Sequence, residues 1–242
     1  MSTIGLGLLF AAIALMYASV GHGGASGYLA VMALLGYSQD VMRPSALLMN
    51  LFVSGISFLQ FARARHFRWN LFWPFAVASV PMAWIGARIT IDPLLYKRIL
   101  AVCLLIAAAR LFGLFGKADD RRATLAILPA MGIGAVLGLA SGIIGIGGGI
   151  LLSPLLLLFR WADARETAAV SALFIFVNSL AGLVSAMGNG ERVTPDVLAW
   201  VAAAVAGGLL GGYLGARRIP ELRLRQALAV VLALASVKLM LP

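Results

Sequence analysis

An all-α fold made of several membrane-crossing helices follows from three features of this 242-residue chain. It is 62% hydrophobic and only 12% charged, about half the charged share of a soluble domain. Its apolar runs recur at lengths near the roughly 20 residues that span a hydrocarbon core of about 30 Å. Glycine interrupts the apolar pattern twice, at Gly21-His22-Gly23-Gly24 and at Gly142-Ile143-Ile144-Gly145-Ile146-Gly147-Gly148-Gly149.

Apolar runs between charged or Pro/Gly punctuation place the elements. In the first half they fall at 4–20, a short 25–37, 43–62, 70–89 and 97–116. The second half gives 125–143, a short 148–159, 166–187, 195–216 and 222–240. About eight segments are long enough to span, and each half adds one short segment after its glycine break. Residues 4–20 lack the basic flank of a secretion signal, since no Lys or Arg precedes Arg43, and read as mature structure. The linker Lys117-Ala118-Asp119-Asp120-Arg121-Arg122 separates residues 1–122 from 123–242, two membrane repeats of one transmembrane domain.

The repeat rests on four landmarks in the same order. Each half has its glycine break, then Ser-Ala-Leu followed by Asn (Ser45-Ala46-Leu47 with Asn50, Ser171-Ala172-Leu173 with Asn178). Gly86-Ala87-Arg88 matches Gly215-Ala216-Arg217, and Ile99-Leu100-Ala101-Val102 matches Ala227-Leu228-Ala229-Val230.

Charge decides how the halves are oriented. If each short segment continues its predecessor, the halves are parallel and the 19 basic residues split nine to ten. If each break instead turns the chain back, every half crosses an odd number of times and the halves are inverted. Thirteen basic residues then gather on one side, leaving Arg43, Arg88, Lys97, Arg98, Arg192 and Lys238 on the other. That bias is the one expected of a cytoplasmic face, so the inverted arrangement with an outside N-terminus is preferred. The net charge of +10 therefore reflects loops, and nucleic acid is not an expected partner; the lipid bilayer is. Cys103 stands alone in an apolar run and reads as a small buried side chain. Gly207, Gly211 and Gly215, with Gly208 and Gly212, keep the four-residue spacing of close helix packing.

Unwound backbone at bilayer depth survives only against protein, water or a solute. A matching pair of breaks, one per half, marks the substrate site of a carrier. The short helices that start near Ala25 and Gly149 would aim unpaired N–H groups and positive dipole ends into one cavity, which suits an oxyanion. The candidate binding residues are Gly21, His22, Gly23, Gly24, Ala25 and Ser26 at the first break, and Gly145, Gly147, Gly148 and Gly149 at the second. Ser45, Asn50, Ser171 and Asn178 add neutral donors. His22 is the one titratable group inside a break, and its repeat counterpart is Ile146. Carboxylates fall only near segment ends, and no metal, nucleotide or hydrolase motif occurs, so no metal, no cofactor and no enzyme is expected. The alternatives are a carrier of another small anion or solute, or an intramembrane enzyme or assembly factor using His22 and Ser141.

The two glycine motifs, Ser153-Pro154 and the paired Ser-Ala-Leu resemble the sulfite exporter TauE/SafE family of bacterial membrane proteins over nearly the whole chain. Family members commonly have Thr-Ser-Leu where Ala46 and Ala172 stand here. The resemblance implies about eight transmembrane helices, two repeats and transport of sulfur-containing anions such as sulfite or organosulfonates. The expected location is the bacterial inner membrane, and the expected direction is outward because an inside-negative potential favours anion exit.

Overall fold

In the computed structural model, residues 3–111, 123–191, 193–217, 233 and 236–237 are described. All regular structure among them is helical. The helices are α1 Thr3–Ala18, α2 Ala25–Leu34, α3 Gln39–Arg63, α4 Trp69–Arg88, α5 Pro93–Leu111, α6 Ile127–Ile144, α7 Gly149–Leu158, α8 Ala164–Gly188 and α9 Pro195–Arg217. Five of them, α3, α4, α6, α8 and α9, are long and apolar enough to cross a membrane, the span in α9 ending at Ala216. The segment expected at 222–240 and the linker 117–122 lie outside the described residues, apart from the helical positions 233, 236 and 237.

Two helices begin four residues earlier than charge punctuation predicts. α3 starts at Gln39 instead of 43 because Arg43 is buried and paired, so it marks no boundary. α5 starts at Pro93 instead of 97 because Asp92 caps it: its carboxylate accepts from the N–H groups of Leu94 and Leu95 at 2.9 and 3.1 Å. Proline at the first helical position costs nothing there, since its missing N–H has no intrahelical partner. A capping box built by Asp163 and Glu166 starts α8.

Glycine sets the register of the main helix pairs. Gly207, Gly211 and Gly215 of α9 lie against the carbonyl oxygens of Ala11, Leu15 and Ser19, so α9 runs parallel to α1. Gly134, Gly138 and Gly142 of α6 lie the same way on Phe75, Ser79 and Ala83, so α6 runs parallel to α4. Side chains at these positions would collide with backbone. α3 and α8 run antiparallel: Leu47 meets Gly182, Asn50 meets Ser179, and Gly55 meets Phe176. Exchanging α1 with α6, α3 with α8 and α4 with α9 maps the pairs α1–α9 and α4–α6 onto each other, and likewise α3–α9 and α4–α8.

The two ends of the bundle follow from these registers. α3 begins, and α4 and α8 end, at one of them, here called the Arg43 end. α3 ends, and α4 and α8 begin, at the other, the Arg68 end. α1 starts at the Arg43 end, and α2 folds back along it, with Gly27 against Ile13 and Tyr17 and with Tyr17 Oη 2.6 Å from Ser26 Oγ. α6 starts at the Arg68 end, and α7 returns towards it, leading through Arg160 and Trp161 into α8. Each break is therefore the tip of a hairpin. Arg63, Arg65, Arg68, Arg160 and Arg165 collect at the Arg68 end, and Arg43, Arg88, Lys97 and Arg98 at the other. Lys117, Arg121, Arg122, Arg192, Arg218, Arg223, Arg225 and Lys238 lie outside the described residues.

Candidate functional site: two glycine breaks joined by Asn50 and His22

The two breaks share left-handed glycines at two matched positions and differ at a third, where Gly147 has a φ of +73° and Gly23 lies outside the left-handed region. Gly21 and Gly24 have φ of +78° and +98°; Gly145 and Gly148, at the same spacing, have +87° and +75°. Gly24 and Gly148 are the N-caps of α2 and α7, and neither helix receives a side-chain cap bond from its own N-cap residue. Left-handed backbone at both positions explains why glycine is needed there.

Asn50, on α3 and 1% exposed, joins the breaks. Its Oδ1 accepts from the N–H of Ala25, the first residue of α2, at 3.2 Å. Its Nδ2 donates to Ser179 Oγ at 3.0 Å and to the Ile146 carbonyl of the second break at 3.4 Å. A Cβ on Gly23 would run into Oδ1, and one on Gly147 would run into Nδ2. The amide is thus pressed between two stretches of bare backbone. A group that accepts at one edge and donates at the other fits a position where one helix offers N–H and the other break offers C=O.

His22 makes the second connection and is 2% exposed. Its Nδ1 lies 2.9 Å from the Val20 carbonyl and its Nε2 3.0 Å from Ser153 Oγ on α7. Ser153 Oγ is also 2.9 Å from the Gly149 carbonyl and 2.7 Å from Ser171 Oγ on α8. Tyr28 Oη donates to the Gly23 carbonyl at 2.9 Å, which fixes the first loop from the other side.

Of the residues singled out in the sequence, His22, Gly23, Ala25, Asn50, Gly147, Gly149 and Ser171 take part in these two links, while Gly21 lies against Ala168, Gly24 against Tyr28, Ser26 on Tyr17, Gly145 on Arg43 and Gly148 against Phe174. Asn178 does not share the role of Asn50. It lies seven residues after Ser171, whereas Asn50 lies five after Ser45, and two residues turn the side chain by about 200° on a helix. Asn178 Nδ2 bonds the Phe174 carbonyl of its own helix at 2.8 Å, and its neighbour Ser179 reaches Asn50 instead. Ser45 Oγ is buried without a partner among the described residues. Ser141, the nucleophile of the enzyme alternative, is likewise buried without a partner, and His22 engages Ser153 instead. No group of three or more metal-ligating side chains occurs among the described residues.

Arg43 escaped the sequence reading, which placed it with the loop charges. It is 2% exposed. Its guanidinium pairs with Glu191 in the α8–α9 loop and donates to the Ala87 carbonyl at 3.0 Å and the Ile143 carbonyl at 3.5 Å. Those carbonyls end α4 and α6, where a cation suits the dipole. Gly145, the start of the second break, packs on the Arg43 side chain. At the opposite end Arg68, 43% exposed, stands 3.5 Å from Glu166. Arg43 was legible only as a charge within two residues of the Ser45 apolar run.

A family model described as sulfite exporter TauE/SafE matches residues 6–239. The chain is 35% identical over 245 residues to the "Probable membrane transporter protein y4hK" of Sinorhizobium fredii (strain NBRC 101917 / NGR234), covering 98% of each chain. It is 33% identical over 107 residues to the "Probable membrane transporter protein YunE" of Bacillus subtilis (strain 168), covering 44% of this chain and 39% of that relative. No solved structure matches it.

Proposed function

The chain belongs to the sulfite exporter TauE/SafE family of membrane transporters, and from that premise we propose that it carries small sulfur-containing anions such as sulfite or organosulfonates out of a bacterial cell across the inner membrane. The observation that carries this reading is the meeting of the two breaks at Asn50. Its Oδ1 occupies the place of an anion oxygen on the Ala25 N–H, and its Nδ2 supplies a neutral donor. An oxyanion taking the Oδ1 position would meet the N–H at the start of α2 without any Lys or Arg, the geometry that favours anions at helix N-termini.

Inverted repeats, residues 1–122 and 123–242, account for the registers. Their third helices, α3 and α8, run antiparallel while each first helix runs parallel to the other repeat's fourth. An axis in the membrane plane relating the halves produces that pattern, and rocking about it exposes the anion to one side and then the other. The Arg68 end, with its excess of described basic residues, is the cytoplasmic face. For an anion crossing alone, an inside-negative potential favours exit by about 2.3 kcal/mol per charge per 100 mV.

Counterflow of labelled sulfite in proteoliposomes tests the reading. Uptake against unlabelled sulfite, suppressed by simple sulfonates, is expected; a protein that passes neither overturns the substrate assignment.

A further inference from the structure

We propose that His22 is a proton-binding site whose occupancy is linked to anion binding, so that one proton accompanies each anion. The inference rests on the anion site at the breaks and adds the coupling ion. The hydrogen count around the imidazole carries it. Val20 offers only a carbonyl oxygen at 2.9 Å, so Nδ1 bears a hydrogen and donates in either charge state. Nε2 faces the Ser153 hydroxyl at 3.0 Å, which both donates and accepts.

With a neutral ring, Ser153 donates to Nε2 and accepts from Ser171 Oγ at 2.7 Å. When Nε2 takes a proton it donates to Ser153 Oγ, and the Ser153 hydroxyl turns to the Gly149 carbonyl at 2.9 Å. Ser171 keeps its bond in both states. The ring gains one proton and one hydroxyl turns from Nε2 to the Gly149 carbonyl, over heavy-atom distances already short enough for both bonds. A buried histidine whose neighbours satisfy only one protonation state would lack this freedom.

The imidazole is also well placed to feel an anion. Residue 22 adjoins Gly23, which presses on Asn50 Oδ1, and its Nε2 contact lies in the first turns of α7. A positive ring beside the negative ion strengthens the binding of both, and the linkage is reciprocal. The other titratable groups on the surrounding elements are Tyr17 on α1, Tyr28 on α2, Asp40, Arg43 and Arg63 on α3, and Arg165 and Glu166 on α8, while α7 has none. Tyr17 is bonded to Ser26, Tyr28 to Gly23, Arg43 to Glu191 and Glu166 to Arg68. With a proton aboard, a monoanion crosses as a neutral pair. The membrane potential then adds nothing, and export runs on the anion and pH gradients.

The test uses methanesulfonate, whose charge stays constant between about pH 5 and 8, the range in which histidine titrates. Calorimetry on the purified protein in two buffers of different ionisation enthalpy reads protons taken up per anion. Uptake approaching one proton, with Kd weakening by up to about tenfold per pH unit on the alkaline side of the histidine titration, is expected. In liposomes, flux should not respond to an imposed potential. His22→Gln should lose the proton uptake and the pH dependence, and its flux should gain potential dependence. Binding with no proton uptake by the unaltered protein overturns the inference while the anion reading stands, and that readout decides even if the variant does not fold. Absence of binding by both methanesulfonate and sulfite overturns the two together.

Discussion

The first and second glycine breaks match at two left-handed glycines, part at Gly23 and Gly147, of which only the latter has a positive φ, and differ most in the side chains they carry. Left-handed glycines at matching places, Gly21 with Gly145 and Gly24 with Gly148, give each hairpin a similar tip. Counting by that register, His22 corresponds to Ile146. In α3 and α8, both 25 residues long, Asn50 corresponds to Ile175. The first half therefore contributes an imidazole and an amide. The second answers with carbonyls and the hydroxyls of Ser153, Ser171 and Ser179. Their anchors differ as well. The second break starts on buried Arg43, while Gly21 of the first lies against Ala168, two residues from Glu166, which is buried and paired with the more exposed Arg68. Similar backbones thus form one site with complementary walls, because a single amide or imidazole between two helix ends needs an unlike partner on the far side.

The most severe way to break the arrangement is to add a methyl where Asn50 is clasped. Gly23→Ala and Gly147→Ala should each lower counterflow by about a hundredfold, as a displacement of the order of 1 Å at a working site does. Gly36→Ala is the control. It has a positive φ of 80°, close to the 73° of Gly147, but meets no atom within 4 Å, so it should cost only the left-handed penalty of about 1–2 kcal/mol and leave counterflow intact.

The anchors come next. Arg43→Ala leaves Glu191 and two helix-end carbonyls without their cation, and thermal unfolding in detergent should register about 3–5 kcal/mol of destabilisation. Arg68→Ala removes a screened partner that is 43% exposed, while Glu166 keeps the Asp163 N–H, and should cost about 0–1 kcal/mol by the same measurement. Equal losses would mean that the two ends are held alike.

Asn50→Leu against Asn178→Leu sharpens the distinction between the two asparagines. The first orphans the Ala25 N–H, and a loss of about 1–3 kcal/mol together with most counterflow is expected. Among the described residues, Asn178 already carries an unpartnered Oδ1 and its amide nitrogen bonds its own helix. Leucine there should be close to neutral in both assays. A small effect of opposite sign belongs to Gly132→Ala in α6, where an added methyl meets nothing within 4 Å. Helix propensity alone should then stabilise by about 0.5–1 kcal/mol.

The helical class, the two breaks and the elements between them were legible because hydrocarbon demands long apolar runs and glycine clusters stand out against them. The hairpin reading of the breaks was reached from charge alone, since Arg and Lys report on which end of a bundle they occupy. Side-chain partners were a different matter. Asn50 and Asn178 look alike in sequence, and two residues of helical phase send one to the breaks and the other back to its own helix. Arg43 reads as a loop charge until Glu191, 148 positions away, is brought beside it. Ser153 and Ser179 gain meaning only from His22 and Asn50, which reach them across 131 and 129 positions. The sequence by itself determined where the backbone must break, because that depends on local φ and on solvent. Which side chains close the gap was decided by tertiary packing alone, because a hydrogen bond between distant elements depends on helix phase and register, and no local pattern carries either.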